Sequence, residues 1–241
     1  MTVPAAGLAT PGPAAERTAR GVRRMFDRVA PRYDLANTVL SLGQDRHWRS
    51  AAAGATGLGD GEAAVDVACG TGKLAADLAR LAPGATVIGL DFSVEMLRRA
   101  GGSVPVAAGD ALALPLADAS VDVVTIAFGL RNLPDPAQGL REFRRVLRPG
   151  GRLVVCEFSH PVLPGFREVY ERYLNRLLPL AARRLSPDPE AYEYLARSIA
   201  AWPSQPDLAR WLQRARFSAV RWRSLTGGIV ALHHGTVPTV P

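Results

Sequence analysis

The sequence predicts an α/β fold, a Rossmann-like doubly wound sheet, and three observations lead there. Short apolar runs alternate with helix-patterned segments from residue 64 to residue 158. The first run opens into a glycine turn, Gly70-Thr71-Gly72, and proline-glycine steps at Pro83-Gly84 and Pro149-Gly150-Gly151 punctuate the later units. Units of this length hold a strand and a crossover helix, so the sheet is expected to be mostly parallel with helices on both faces.

Taken in order, residues 64–68 read as the first strand, 74–81 as a helix and 86–90 as the second strand. A helix over 94–100, a strand over 104–108 and a loop through Pro115 follow. A strand over 121–128, a helix over 137–147 and a fifth strand over 152–158 complete the alternation. Between residues 159 and 206 the pattern turns helical. Phe166, Val169, Tyr170, Tyr173, Leu174, Leu177 and Leu178 there share one helical face, so the segment reads as an insertion. A helix near 208–215 then leads to two strand-like runs, 219–223 and 229–233, expected to finish the sheet as an antiparallel pair.

Before the first strand, residues 1–15 carry three prolines, no basic start and no apolar run. They read as a disordered tail and not as a secretory signal. Residues 16–50 read as a helical cap, with a break near Pro31, so 16–241 is expected to be one domain.

Composition narrows the function. With 241 residues and 48% hydrophobic content the chain can bury one substantial core. Its apolar runs fall well short of the roughly 20 residues a membrane span requires. Cys69 and Cys156 lie in apolar stretches and the four histidines lack zinc-ligand spacing. This pattern implies a reduced, cytoplasmic compartment and no structural metal. The net charge of +7 rests almost wholly on arginine, Lys73 being the only lysine. That bias fits a GC-rich coding genome, and without basic-aromatic runs or a named motif, nucleic acid is not an expected partner.

The strand-turn-helix passage from Val65 to Gly72 marks a cofactor site, because glycine lets the backbone approach a ligand closely. The spacing of Gly70, Gly72 and Ala75 also fits a dinucleotide fingerprint. Asp66, four residues before Gly70, argues for the methyl donor S-adenosylmethionine. A carboxylate there favours an ammonium and a sulfonium and repels a pyrophosphate. Asp91 ends the second strand, where an acid accepts from ribose hydroxyls, and Asp110 follows the third strand, where an adenine amino group can donate.

Several stretches together resemble one family. They are Phe26-Asp27-Arg28-Val29-Ala30-Pro31-Arg32-Tyr33-Asp34, Ser41-Leu42-Gly43 with Arg46-His47-Trp48, Phe128-Gly129-Leu130-Arg131-Asn132, Glu157-Phe158-Ser159 and Gly227-Gly228-Ile229-Val230-Ala231-Leu232-His233. In these the chain is similar to the quinone-biosynthesis C-methyltransferases that make menaquinone or ubiquinone, over about residues 22–236. The resemblance implies a class I methyltransferase fold that uses S-adenosylmethionine to methylate a ring carbon of a polyprenylated quinol. Thr71, Asp91, Asp110 and Ala111 carry over from the family's cofactor residues, while Ala127 stands where the family usually has serine. Ser159-His160-Pro161 and the stretch from Ala201 to Pro206 look like actinobacterial members, which favours menaquinone. A benzoquinol of the ubiquinone pathway and an aromatic natural product remain as alternative acceptors.

For the chemistry, Arg131 and Asn132 rank first, Arg131 as a cation that steadies a developing phenolate. His160, Tyr33 and His47 are further candidates. The apolar stripe of the insertion, with Arg167, Arg172, Arg176, Arg183 and Arg184 around it, raises the expectation of peripheral contact with the inner face of the cell membrane. Tyr170 and Tyr173 would then lie at a headgroup boundary. Oligomeric state is not set by any feature of the sequence.

Overall fold

The computed structural model describes Gly21, Ser41 and residues 43–163, 165–173 and 189–239. The expected tail, most of the cap and the stretch holding Leu174, Leu177, Leu178, Arg176, Arg183 and Arg184 lie outside the described residues. In chain order the elements are α1 (Gln44–Ala55), β1 (Ala63–Val67), α2 (Lys73–Leu81), β2 (Thr86–Asp91), α3 (Val94–Leu97), β3 (Val106–Ala108) and β4 (Val121–Ala127). A 3₁₀ turn, Leu130–Asn132, leads to α4 (Pro136–Val146) and β5 (Leu147–Phe158). Then come α5 (Phe166–Arg172), α6 (Pro189–Ala200), α7 (Gln205–Arg214), β6 (Ser218–Leu225) and β7 (Val230–Thr236).

The seven strands form one sheet in the order β3-β2-β1-β4-β5-β7-β6. β1 to β5 pair in parallel, and β7 runs antiparallel to both β5 and β6. The Rossmann-like reading and the antiparallel closing pair are thus borne out. The order reverses between β1 and β4, and at such a switch point the connections leave in opposite directions and open a crevice at the carboxyl ends of the strands.

Three boundaries depart from the sequence pattern, each for a local reason. The predicted helix 94–100 holds only to Leu97. Arg99 and Ala100 then donate to carbonyls three residues back, a tightened end ahead of Gly101-Gly102. The predicted strand 104–108 starts at Val106, because Pro105 has no N–H for the ladder and offers only its carbonyl, to Gly89. The Arg148-Pro149-Gly150-Gly151 step is a bulge inside β5. The register shifts there from Val121 opposite Leu147 to Val123 opposite Arg152.

Burial is nearly continuous along the central strands, as a sheet covered on both faces requires, and successive side chains point to opposite faces. Val65, Val124, Leu153 and Val155 pack with Leu140, Phe143 and Val146 of α4 and with Leu208 and Leu212 of α7. Ala64, Val123, Val154 and Cys156 face the other way, against Trp48 and Ala52 of α1 and Leu74 and Leu78 of α2. The described end of the cap therefore forms part of the core. Short polar caps fix where the helices begin: Asp135 accepts from the Gln138 amide ahead of α4, with Pro136 in the first turn, and Ser204 accepts from the Asp207 amide ahead of α7.

His233 on β7 ties this core to α7, its Nε2 lying 2.9 Å from the Gln205 carbonyl. Burial pushes its pKa down to about 4, opposed by that hydrogen bond. A histidine depressed in the folded state gives stability that is complete above its unfolded pKa and is lost as pH falls through the folded value. Asp66, raised by burial to about 7, acts in the opposite direction over the same window and masks the effect in the wild type. We expect the stability advantage of wild type over His233→Leu to shrink by about 2 kcal/mol between pH 7.5 and pH 5 in urea unfolding. An advantage independent of pH would show that His233 titrates normally.

Candidate active site

The crevice at the switch point is a cleft of about 850 Å³, its solvent mouth included. The ends of β1, β2, β3 and β4 build it. Two non-glycine residues at matching strand ends, Ala68 at φ 54° and Phe128 at φ 56°, take left-handed backbone. There the chain turns at once from strand into loop. The two loops nearly touch, since a Cβ on Gly129 would sit 2.7 Å from the Ala68 Cβ, and only glycine permits that approach.

On one side the cleft presents carboxylates. Asp91 is clamped at both oxygens, Oδ2 accepting from the Gly70 amide at 2.7 Å and Oδ1 from the Ser93 amide at 2.7 Å. A carboxylate placed at a strand end beside the glycine turn is the group that accepts from a vicinal diol. Asp110 lines the rim, its Oδ1 accepting from the Leu112 amide at 2.9 Å. Between them Phe92, Met96, Ala111, Leu112, Leu133 and Pro134 supply an apolar slot. A diol acceptor, a flat apolar slot and an acid at its edge match ribose and adenine, so the residues present fit a nucleoside-bearing donor such as S-adenosylmethionine.

Behind the opposite wall is a buried charge pair. Arg131 Nη1 donates to Glu157 Oε1 at 2.7 Å and to the Phe128 carbonyl at 2.6 Å, and its guanidinium lies 5.0 Å from the Phe158 ring centre. Glu157 also accepts from the amides of Phe158 at 2.8 Å and Arg131 at 3.3 Å. Burial pushes the Glu157 carboxyl up and the adjacent arginine pulls it back. All of its hydrogen-bond partners are N–H donors, so they serve the ionised form. Asn132 donates from Nδ2 to the same Phe128 carbonyl at 3.1 Å and accepts from Tyr194 Oη at 3.1 Å. Trp48, Phe128 and Phe158 stack into a tilted aromatic cluster that backs this wall.

Of the residues singled out in the sequence, Gly70, Asp91, Asp110, Ala111, Ala127 and Asn132 line the cleft. Thr71 and Gly72 belong to the turn but not to the cleft wall, Gly72 preceding α2 at φ 76°. Asp66 lies outside the cleft lining. It is 1% exposed and lies below the turn, where it takes hydrogen bonds from Thr125 Oγ1 at 2.7 Å and from the Ala75 amide. It braces the loop from beneath. His160 is also outside the lining. Its Nε2 lies 2.7 Å from the Trp202 carbonyl and its own carbonyl accepts from Gln205 Nε2 at 2.8 Å, so it ties the start of the insertion to its end. Arg131 stands behind the wall. His47 is exposed on α1, and Tyr33 falls outside the described residues.

Sequence reasoning missed the apolar slot, Glu157 and Tyr194. Slot residues such as Met96 and Leu133 look like core in a periodicity pattern, and no spacing ties Tyr194 to a residue 62 positions earlier. Glu157 had a signal, a carboxylate inside an otherwise apolar strand, which implies a buried cation opposite it.

Comparison with known proteins agrees with this geometry. Residues 14–237 match the model of the ubiE/COQ5 methyltransferase family. The demethylmenaquinone methyltransferase of Mycobacterium marinum is 56% identical over 227 residues, covering 93% of this chain and 97% of that protein. The Corynebacterium kroppenstedtii enzyme of the same name is 53% identical, covering 92% and 97%. Among solved structures, a possible histamine N-methyltransferase from Thermotoga maritima superposes with a TM-score of 0.64 at 20% identity, over 88% of this chain and 98% of that one. Phosphoethanolamine N-methyltransferase 2 of Haemonchus contortus, solved with S-adenosyl-L-methionine, gives 0.64 at 15% identity, over 90% and 60%. These structures share the fold. With the family model matched over nearly its whole length, the chain belongs to the ubiE/COQ5 methyltransferase family and is an S-adenosylmethionine-dependent methyltransferase.

Proposed function

We propose that this chain methylates a ring carbon of demethylmenaquinol, taking the methyl group from S-adenosylmethionine and yielding menaquinol. The observation that carries the reading is the 56% identity to a demethylmenaquinone methyltransferase over 97% of that protein, together with a cleft whose acids and apolar slot suit the donor. When bound, the donor supplies a methyl group on a sulfonium, which a nucleophilic carbon can displace. Asp91 would hold the ribose and Asp110 the adenine edge. Ala127, lacking the hydroxyl usual at its position, gives one neutral hydrogen bond fewer, about 0.5 to 1.5 kcal/mol of donor contact.

A ring carbon is a weak nucleophile until a neighbouring hydroxyl ionises, so the acceptor is the reduced quinol. The ring carbon would take the methyl group of the bound donor, the carbon-sulfur electron pair staying on sulfur, and the ring proton would pass to water to restore aromaticity. Arg131 contributes a fixed cation and a buried Nε–H without a partner among the described residues. Both favour a developing phenolate. Asn132 supplies the polar contact on the cleft wall.

A peripheral membrane contact has a specific observation in its favour. Val162, Leu163 and Val169 are 58%, 55% and 60% exposed, with Phe166 between them and Arg167 and Arg172 exposed nearby. Tyr170 does not belong to this surface. It is buried against Ile199, so the expected tyrosine boundary is corrected to an aliphatic patch with arginines beside it. No helix among the described residues is long and apolar enough to cross a membrane.

Four outcomes are expected. Asp91→Ala weakens S-adenosylmethionine binding about ten- to hundredfold by calorimetry, and binding of nicotinamide cofactors in its place would refute the donor assignment. Turnover requires a reductant. Replacing the buried charges together, Arg131→Met with Glu157→Gln, lowers kcat at least tenfold and leaves donor affinity within about threefold, whereas equal methylation of strictly oxidised quinone, or an unchanged kcat, contradicts this chemistry. The chain floats with anionic liposomes at low salt and is released at high salt. Absence of flotation, with full activity on a short-tailed soluble quinol, leaves the patch with no lipid role.

A further inference from the structure

We infer that Tyr194 is a positioning residue: it fixes the Asn132 carboxamide at the cleft wall, and through that bond α6 governs reactivity toward the methyl acceptor. The inference rests on the methyl-transfer reading above and adds a residue to it. Among the described residues, four polar side chains line the cleft: Asp91, Ser93, Asp110 and Asn132. The first three come from β2, β3 and the loops after them, the donor's side. Asn132 comes from the turn after β4 and, among the described residues, is the one on the acceptor's side.

Its orientation is determined by elimination. The Phe128 carbonyl can only accept, so the group 3.1 Å from it must be the Asn132 amide nitrogen. Oδ1 then faces Tyr194, and the phenol must donate to it across 3.1 Å. A half-turn of the carboxamide would set oxygen against oxygen at Phe128. Tyr194 is held in turn by its helix, which buries Ala196 and Ile199, and Ile199 packs on Tyr170 with Phe158 against it. Without the phenol hydroxyl the carboxamide keeps one anchor and gains rotational freedom. An acceptor aligned by Asn132 is then placed less well, while a donor held by Asp91 is untouched.

The test compares the full-length wild type, Tyr194→Phe, Asn132→Ala and the double variant. It reads S-adenosylmethionine affinity by calorimetry, Tm, and kcat and KM on demethylmenaquinol with reductant. Tyr194→Phe is expected to lower kcat about two- to tenfold, the equivalent of one hydrogen bond, with donor affinity and Tm unchanged. In the Asn132→Ala background the same change has no further effect on kcat, because the inferred influence on the acceptor passes through the Asn132 carboxamide. Wild-type turnover by Tyr194→Phe overturns the inference alone. So does an equal loss in both backgrounds, or a loss matched in donor affinity. A wild-type chain that binds the donor but methylates no quinol overturns the methyl-transfer reading as well, and the inference with it.

Discussion

The near-contact of the loops after β1 and β4 is the constraint on which the rest of the site depends. Adjacent parallel strands must send their chains apart there, and both do so within one residue, through left-handed Ala68 and Phe128. Such backbone costs on the order of 1 to 3 kcal/mol at each non-glycine position, so neighbouring groups must hold it. At Phe128 the amide donates to the Cys156 carbonyl at 2.8 Å, and the carbonyl accepts from both Arg131 and Asn132. The two side chains nearest the expected chemistry are therefore also those that keep the wall in place. Function and local stability are hard to separate at these positions, which is why paired substitutions are more informative than single ones.

Charge is arranged in the same economical way. The chain is strongly basic, yet many arginines are matched within the molecule: Arg145 with Glu142 and Asp118, Arg148 with Asp122, Arg152 with Glu62, Arg98 and Arg99 with Glu95. Exposed pairs of this kind contribute little to stability, about 0 to 1 kcal/mol each. The Arg131–Glu157 pair differs because both partners are desolvated, so losing one strands the other and costs far more than losing both. In the proposed arrangement a donor that brings a sulfonium meets the carboxylates of Asp91 and Asp110 on its own side of the cleft, while the Arg131–Glu157 pair lies behind the far wall.

The sheet was legible in the sequence because strands buried on both faces appear as unbroken apolar runs and their ends can be counted. That counting located Asp91, Asp110 and Ala111 at the cleft. It does not account for Asp66, one residue short of the end of β1, where the side chain points between Gly89 and Thr125 on the neighbouring strands and is covered by α2. Nor does it account for His160, for another reason: a histidine after a strand is ambiguous until the partner of its ring is known, and here that partner is a carbonyl 42 residues on. The apolar residues of the cleft stayed invisible because burial in a core and exposure to an apolar cleft leave the same pattern in a sequence.

The donor and acceptor halves of the cleft consequently differ in how they are specified. The donor half is written into consecutive strand ends and their loops, so its geometry follows from the sheet. The acceptor half, as proposed, depends on an inserted segment whose described helices reach the cleft wall through Tyr194 on Asn132, and reach β7 through Gln205 on His233. Contacts of single hydrogen bonds can change without disturbing the sheet. A fold built this way can hold its methyl donor constant while the acceptor it serves is set by few residues, and those residues lie where sequence pattern carries least information.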